Sequence, residues 1–323
     1  MSTFVLMELC KQSGVKNVIY QLLAPNITIN LDEVEENRSY AVVIDKGIRY
    51  CLTGNPGIYD EEAPYVLLTD RTPTKQKLID NDIRQRKWIK HPNQIEASPD
   101  DVINSWENRF HFKLEENEEN PGLRRPQLGA LHAILSHMLA PTEAATVVLP
   151  TGTGKTETML SALVAGRCNR VLVTVPTTAL RGQLFNKFKT LGVLKTPKFE
   201  IVDKDALYPI VGMITSAFEG ADQLKNFIEQ CNVVITTMQI IDSAPEEQQN
   251  VYVSSFSNVF VDEAHHIVAT SWRKFSDRFP RHQLVQFTAT PFRNDGQRLD
   301  GKIIFNYPLR QAQKDGYYRT IHF

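Results

Sequence analysis

At 323 residues the chain is long enough for two domains and a sizeable buried core. Hydrophobic residues make up 42% and charged residues 23%, as in ordinary soluble globular proteins, and the formal net charge of −1 excludes a global basic field for a polyanion. Cys10, Cys51, Cys168 and Cys231 lack zinc or disulfide-framework spacing, and neither a signal peptide nor a membrane-length apolar run is evident, so a cytoplasmic location without membrane contact is expected.

Residues 1 to about 95 read as a small mixed α/β unit. Tyr40–Asp45 and Ile48–Thr53 are β-rich runs around Lys46-Gly47, the pattern of a hairpin, and Tyr65–Leu68 is a further strand. From Lys75 to Lys90, Lys75, Lys77, Arg84, Arg86, Lys87 and Lys90 surround Trp88. Cations around an aromatic ring suit nucleic-acid contact. The plainer expectation, adopted here, is a solvated helix face with Trp88 packed inward. Ser98-Pro99-Asp100-Asp101 is a helix start, with a capping hydroxyl, a proline at the first position and acids matching the dipole. That helix carries Val102, Ile103, Trp106 and Phe110. The acidic stretch 114–122, ending in Pro121-Gly122, reads as a connection. The expected organisation is an accessory domain over 1–114, a linker over 115–122 and a second domain over 123–323.

The second domain alternates apolar strands with helices. Strands are expected at Ala145–Leu149, Val171–Val175, Tyr208–Ile214, Val233–Thr237, Val259–Asp262 and Val285–Thr288, and helices at 180–190 and 223–229. Near-continuous apolar strands separated by helices imply an α/β fold with a parallel sheet covered on both faces. Pro150-Thr-Gly-Thr-Gly-Lys-Thr156 follows the first of these strands and opens a segment with helical spacing. In that context it is a phosphate-binding loop. Backbone N–H groups of Gly152, Thr153 and Gly154 can face phosphate oxygens, and the N-terminus of the following helix adds partial positive charge. Lys155 then reaches the β- and γ-phosphates and the Thr156 hydroxyl ligates Mg²⁺. Thr151 and Glu157 flank the same site. The expected ligands are ATP and Mg²⁺.

A bound triphosphate needs a second metal partner and a base. Val259-Phe-Val-Asp-Glu-Ala-His-His266 supplies both: Asp262 ends an apolar strand and would hold Mg²⁺, while Glu263 would orient and deprotonate the attacking water. The catalytic set is Lys155, Asp262 and Glu263.

Together these segments resemble the first motor domain of superfamily 2 helicases and translocases, a RecA-like phosphate-loop NTPase. Pro150–Thr156 looks like motif I, Asp262-Glu-Ala-His265 (a DEAH box) like motif II, Thr288-Ala-Thr290 like motif III, and Val175–Leu180 with Arg181 and Gln183 like motif Ia. The resemblance implies coupling roles for His265, Thr288 and Thr290, and nucleic-acid contacts at Thr177, Thr178, Arg181, Thr236 and Thr237. It also implies adenine reading by Gln127 in Leu123-Arg-Arg-Pro-Gln127, although Pro126 stands where the usual form has a tyrosine-like residue. Ala264-His265-His266 and Thr288-Ala-Thr-Pro-Phe-Arg293 are most similar to the restriction-enzyme-type branch, in which bacterial defence helicases occur, and favour DNA over RNA. The expected partners are a single-stranded or duplex nucleic acid and a second RecA-like domain, in the same or another chain, supplying an arginine to the γ-phosphate. Without that half, this stretch alone is expected to turn ATP over very slowly. The leading expectation is an ATP-driven nucleic-acid motor. The alternatives are a nucleotide-gated binding module without directed movement and an ATPase acting on protein partners.

Overall fold

The computed structural model of the chain describes residues 2–94, 96–140, 143–263, 277–291 and 301–317. The chain divides into two compact units, one formed by Met1–Lys11 with Leu22–Glu96 and the other by Gln12–Gln21 with Ala97–Phe323.

In the first unit, β1 (Thr3–Leu6) pairs antiparallel with β4 (Ile27–Asn30). A five-stranded mixed sheet runs in the order β5 (Glu33–Glu36), β6 (Tyr40–Asp45), β7 (Ile48–Thr53), β8 (Tyr65–Thr69), β9 (Gln85–Lys90). The expected hairpin is β6–β7: Lys46 and Gly47 take φ of 52° and 78°, the positive values a tight two-residue hairpin turn of matching twist needs. The basic stretch departs from the expected helix. Only α1 (Lys75–Ile79) is helical; Asn81, at φ 53°, follows it, and Gln85–Lys90 pairs with β8. Trp88 packs inward as expected, its indole N–H donating to the Met7 carbonyl at 3.1 Å, while Arg86 and Lys87 are exposed.

Among the described residues, the second unit is built on seven parallel strands. Their order is β16 (Lys302–Asn306), β10 (Ala145–Val148), β15 (Leu284–Thr288), β14 (Asn258–Asp262), β11 (Val171–Val175), β13 (Val233–Thr237), β12 (Ile210–Met213). Every adjacent pair among them is parallel. The RecA-like sheet expected from the sequence is therefore present. Beyond β12, residues Val18–Gln21 of β3 (Val18–Ala24) pair antiparallel, and β2 (Leu9–Ser13) follows in the sheet order. The strands β10, β11, β13 and β15 are buried along their whole length, which is why they read as near-continuous apolar runs.

Helices connect the strands: α2 (Pro99–Ser105), α3 (Arg125–Leu139), α4 (Lys155–Ala165), α5 (Thr178–Thr190), α6 (Ala221–Glu229), α7 (Met238–Asp242), α8 (Glu246–Ser255) and α9 (Leu309–Lys314). Leu224, Phe227 and Ile228 of α6 join Tyr252 of α8 against Val234, Val259 and Leu284 in one core cluster. Each such buried aliphatic contributes about 1.5–3 kcal/mol over an exposed one.

The boundary between the units differs from the expected one. Ser98 caps α2 in a full capping box with Asp101, as its sequence implies, but the helix ends at Ser105. Trp106 is buried with its indole N–H bonded to the Leu207 carbonyl at 2.9 Å, and Phe110 bridges to Val202. Residues 97–114 thus pack as part of the second unit. The stretch read as a linker is a closed loop: Leu114 bridges to Leu123, and Glu115 N–H donates to the Leu123 carbonyl at 2.8 Å. An acidic, polar composition marks solvent exposure, and an exposed loop meets that condition as well as a linker does.

Candidate active site

The loop between β10 and α4 owes its shape to two glycines. Gly152 and Gly154 take φ of 83° and 95°, and a Cβ on Gly154 would lie 1.9 Å from Gln127 Nε2. Only glycine fits there. Thr153 is tied into the loop itself. Its N–H and hydroxyl both bond the Pro150 carbonyl, at 3.2 and 2.6 Å, and its side chain is fully buried. In this arrangement it closes the loop as a turn. Thr151, Gly152, Gly154, Lys155, Thr156 and Glu157 line a cavity of about 780 Å³ that also reaches Asp262 and Glu263. Glu157 is held by Lys187 of α5 at 3.2 Å.

Across the cavity, Asp262 is the last residue of β14. Because β15 lies between β10 and β14, the phosphate loop and the acids are two strand positions apart, roughly 10 Å. The Lys155 side chain spans that gap: its Nζ lies 2.9 Å from Glu263 Oε1, with the two side chains 9% and 16% exposed. Glu263 has φ 50°, a left-handed backbone that a non-glycine residue rarely adopts and that costs on the order of 1 kcal/mol or more. Asp262 Oδ1 is buried without a hydrogen-bond partner. Burial, and then the neighbouring Glu263 carboxylate, raise its pKa to about 6 against the opposing pull of Lys155. A buried carboxylate oxygen left bare is expensive. It fits a divalent cation, and Thr156 at the first turn of α4 lines the same cavity. No group of three or more His, Cys, Asp or Glu gathers among the described residues.

Gln127 sits in the first turn of α3, buried beside the loop. Its Oε1 accepts from Arg124 N–H at 2.7 Å and its Nε2 lies 3.4 Å from the Gly154 carbonyl. A second cavity of about 260 Å³ opens there, lined by Gln127, Arg124, Leu123 and Phe199 among others. Sequence reasoning did not single out Arg124, whose Nη1 donates to the Gly152 carbonyl at 3.0 Å. A lone arginine before a helix carries no local signal for it.

The nucleic-acid candidates meet at the carboxyl ends of β11 and β13, where Val175 is in register with Thr237. Thr177 and Thr178 are exposed, and Thr177 caps α5 by accepting from Leu180 N–H at 3.3 Å. Arg181 Nη1 and the Thr236 hydroxyl both donate to the Ile214 carbonyl, at 3.3 and 3.2 Å. Thr236 is fully buried and Thr237 nearly so, so both support the edge more than they present an oxygen. Thr288 lies in register with Val148 on β10; its hydroxyl donates to the Thr290 carbonyl at 2.7 Å and its carbonyl accepts from Leu149 N–H. The third motif is thus wired directly to the strand that enters the phosphate loop. His265, the other coupling candidate, lies outside the described residues.

Seven parallel strands, a phosphate loop after β10 and an acid pair at the end of β14 define a RecA-like phosphate-loop NTPase domain, as the superfamily 2 resemblance implies. The chain belongs to the family described as type III restriction enzyme, res subunit, whose model matches residues 120–293. Among solved structures it is similar to a nuclease-deletion mutant of the Type ISP restriction-modification enzyme LlaGI in complex with a DNA substrate mimic. That match has 20% identity and a TM-score of 0.44, covering 60% of this chain and 20% of that one. It is also similar to T4 UvsW (18%, TM-score 0.37, covering 61% and 35%). A third is the Sulfolobus solfataricus SWI2/SNF2 ATPase core in complex with dsDNA (16%, TM-score 0.38, covering 55% and 34%). The matched part thus spans between a fifth and about a third of those proteins. No curated protein sequence matches the chain. No helix among the described residues is long and apolar enough to cross a membrane.

Proposed function

We propose that the second unit is the first motor lobe of an ATP-dependent helicase or translocase acting on nucleic acid, with DNA favoured by family membership, and that restriction or defence against phage is its setting. The observation that carries this reading is the Lys155–Glu263 pair at 2.9 Å, with the bare Oδ1 of Asp262 beside it. One ammonium and two carboxylates at the mouth of a phosphate loop form the charge set that phosphoryl transfer to water requires.

Gly152 and Gly154 let the backbone approach the triphosphate, and Lys155 neutralises its β- and γ-oxygens. A γ-phosphate there competes with Glu263 for the Lys155 ammonium, which frees the Glu263 carboxylate to orient a water and take its proton. Thr156 and Asp262 would hold Mg²⁺, which when bound would supply charge neutralisation on the triphosphate. Gln127 would read the adenine edge, and Thr288 with Thr290 would link the loop to its neighbouring strands. Thr177, Thr178 and Arg181 would hold a strand's phosphates without sequence reading, with Thr236 and Thr237 supporting that edge. A second RecA-like domain, in the same or another polypeptide, completes the cleft.

The test is ATP turnover by the protein with and without single-stranded DNA. Stimulation that Glu263→Gln abolishes is the expected result. Turnover or ATP binding that DNA leaves unchanged would favour a nucleotide-binding module or an ATPase acting on proteins.

A further inference from the structure

The turn between β2 and β3 lies at the same edge of the sheet as the strand-contact candidates, although it comes from the opposite end of the sequence. In the antiparallel register Val18 pairs with Met213 and Gln21 with Ile210. The turn Gly14–Asn17 therefore sits at the carboxyl end of β12, the end where a parallel sheet binds ligands. It is fastened there. Asn17 Oδ1 accepts from the N–H groups of Thr215 and Ser216, at 2.9 and 3.1 Å, and its Nδ2 donates to the Ser216 carbonyl at 3.1 Å. The Thr215 hydroxyl donates to the Lys16 carbonyl at 2.8 Å. The turn itself is tight: Gly14 has φ 81°, and a Cβ there would lie 2.0 Å from the Asn17 carbonyl oxygen.

The loop that Asn17 grips begins at Ile214, whose carbonyl accepts from both Arg181 and Thr236. One backbone segment thus ties together the ends of β11, β13, β12 and β3. Above it stand Val15, 97% exposed, and Lys16, also exposed and without an ion pair among the described residues.

We propose that the Gly14–Asn17 turn extends the nucleic-acid track, with the Lys16 ammonium on a backbone phosphate and Val15 against the neighbouring sugar or base. This rests on the motor reading above and adds a contact to it. The turn lies two strand positions past β13, so it meets the chain roughly 10 Å beyond the carboxyl end of β13. An exposed cation on a rigid turn loses little freedom when it meets phosphate, and an exposed valine gives an apolar surface that is sequence-tolerant.

Binding of a fluorescent single-stranded DNA to the whole protein, across a salt series, tests this with Lys16→Ala, Val15→Glu and Arg181→Ala beside the wild type. Lys16→Ala is expected to flatten the log–log salt slope by about 0.7 and weaken binding roughly three- to tenfold at low salt. Val15→Glu should weaken it further through charge repulsion. Both positions are exposed, so neither change threatens folding. If Arg181→Ala weakens binding while Lys16→Ala and Val15→Glu leave affinity and slope unchanged, the extension is overturned and the motor reading stands. If the wild type itself binds no strand, both fall.

Discussion

At the carboxyl edge of the sheet, the ends of β10 and β14 differ from those of β11, β13 and β12 in how their polar groups are satisfied. Around the phosphate loop the groups are held short of satisfaction: Asp262 Oδ1 is bare, Glu263 carries a left-handed backbone, and Lys155 is paired with a carboxylate a phosphate can displace. Along the other half the contacts run to backbone: Thr177 caps a helix, and Thr236 and Arg181 share the Ile214 carbonyl, while Arg181 Nε and Thr174 Oγ1 stay buried without a hydrogen-bond partner. Strain and a bare carboxylate are what chemistry on a charged ligand needs. Contacts directed at backbone suit an edge that only has to hold a strand in place. The two halves should therefore respond differently to substitution, in kind as well as in size.

The largest effect is expected at Glu263. Glu263→Gln keeps shape but cannot take a proton from water, so hydrolysis should fall by about 10²–10⁴. ATP affinity should hold or rise, because Lys155 loses a competing carboxylate. A loss of ATP affinity matching the loss of rate, in calorimetry with Mg²⁺, would argue against the base assignment. Lys155→Ala comes next. Removing a charge-assisted contact to phosphate should weaken ATP binding roughly 10- to 150-fold. Equal affinity in the two proteins would contradict the loop assignment.

Asp262 turns the comparison into a pH experiment. Its carboxyl is pushed up to about 6 by burial and by Glu263, against about 3.9 in an unfolded chain. Between those values the folded state binds more protons than the unfolded one, so stability falls as pH rises from about 4 through 6. Asp262→Asn removes the penalty. In thermal melts with EDTA and no nucleotide, it should be more stable than wild type at pH 7 by about 3 kcal/mol, with the difference vanishing towards pH 4. A gap that is constant with pH would mean the carboxylate is not desolvated as its burial implies.

The same contrast explains how much was legible beforehand. The nucleotide half is written in contiguous residues, because a phosphate loop and an acid-ended strand each impose their geometry over a handful of positions. Gly152, Gly154, Lys155, Asp262 and Glu263 can be proposed from the sequence for that reason, and they line one cavity. The part of Thr153 is less legible, because the direction in which an N–H points is set by turn closure, which residue type leaves open. The strand-holding half is assembled from distant segments. The segment Val18-Ile-Tyr-Gln21 is not among the expected strands, and nothing local says that it pairs with Ile210–Met213, almost two hundred residues away. The boundary at residue 114 failed similarly: Trp106 and Phe110 look like ordinary helix faces until Leu207 and Val202 are seen beside them.

The smallest expected effect separates two roles at Thr177, which caps α5 through its hydroxyl and is exposed where a strand's phosphates would pass. Thr177→Ala removes both, and should cost about 1 kcal/mol of stability along with a small loss of strand affinity. Thr177→Asp distinguishes them. Aspartate is as good an N-cap as threonine or better and suits the helix dipole, so stability should return to the wild-type level. Its charge, however, repels phosphate, so strand affinity should drop below that of Thr177→Ala, most clearly at low salt and less as screening grows. Thermal melts and DNA binding on the same three proteins decide the matter. Should Thr177→Asp restore both stability and affinity, the threonine is a helix cap alone, and the strand is held further along the edge.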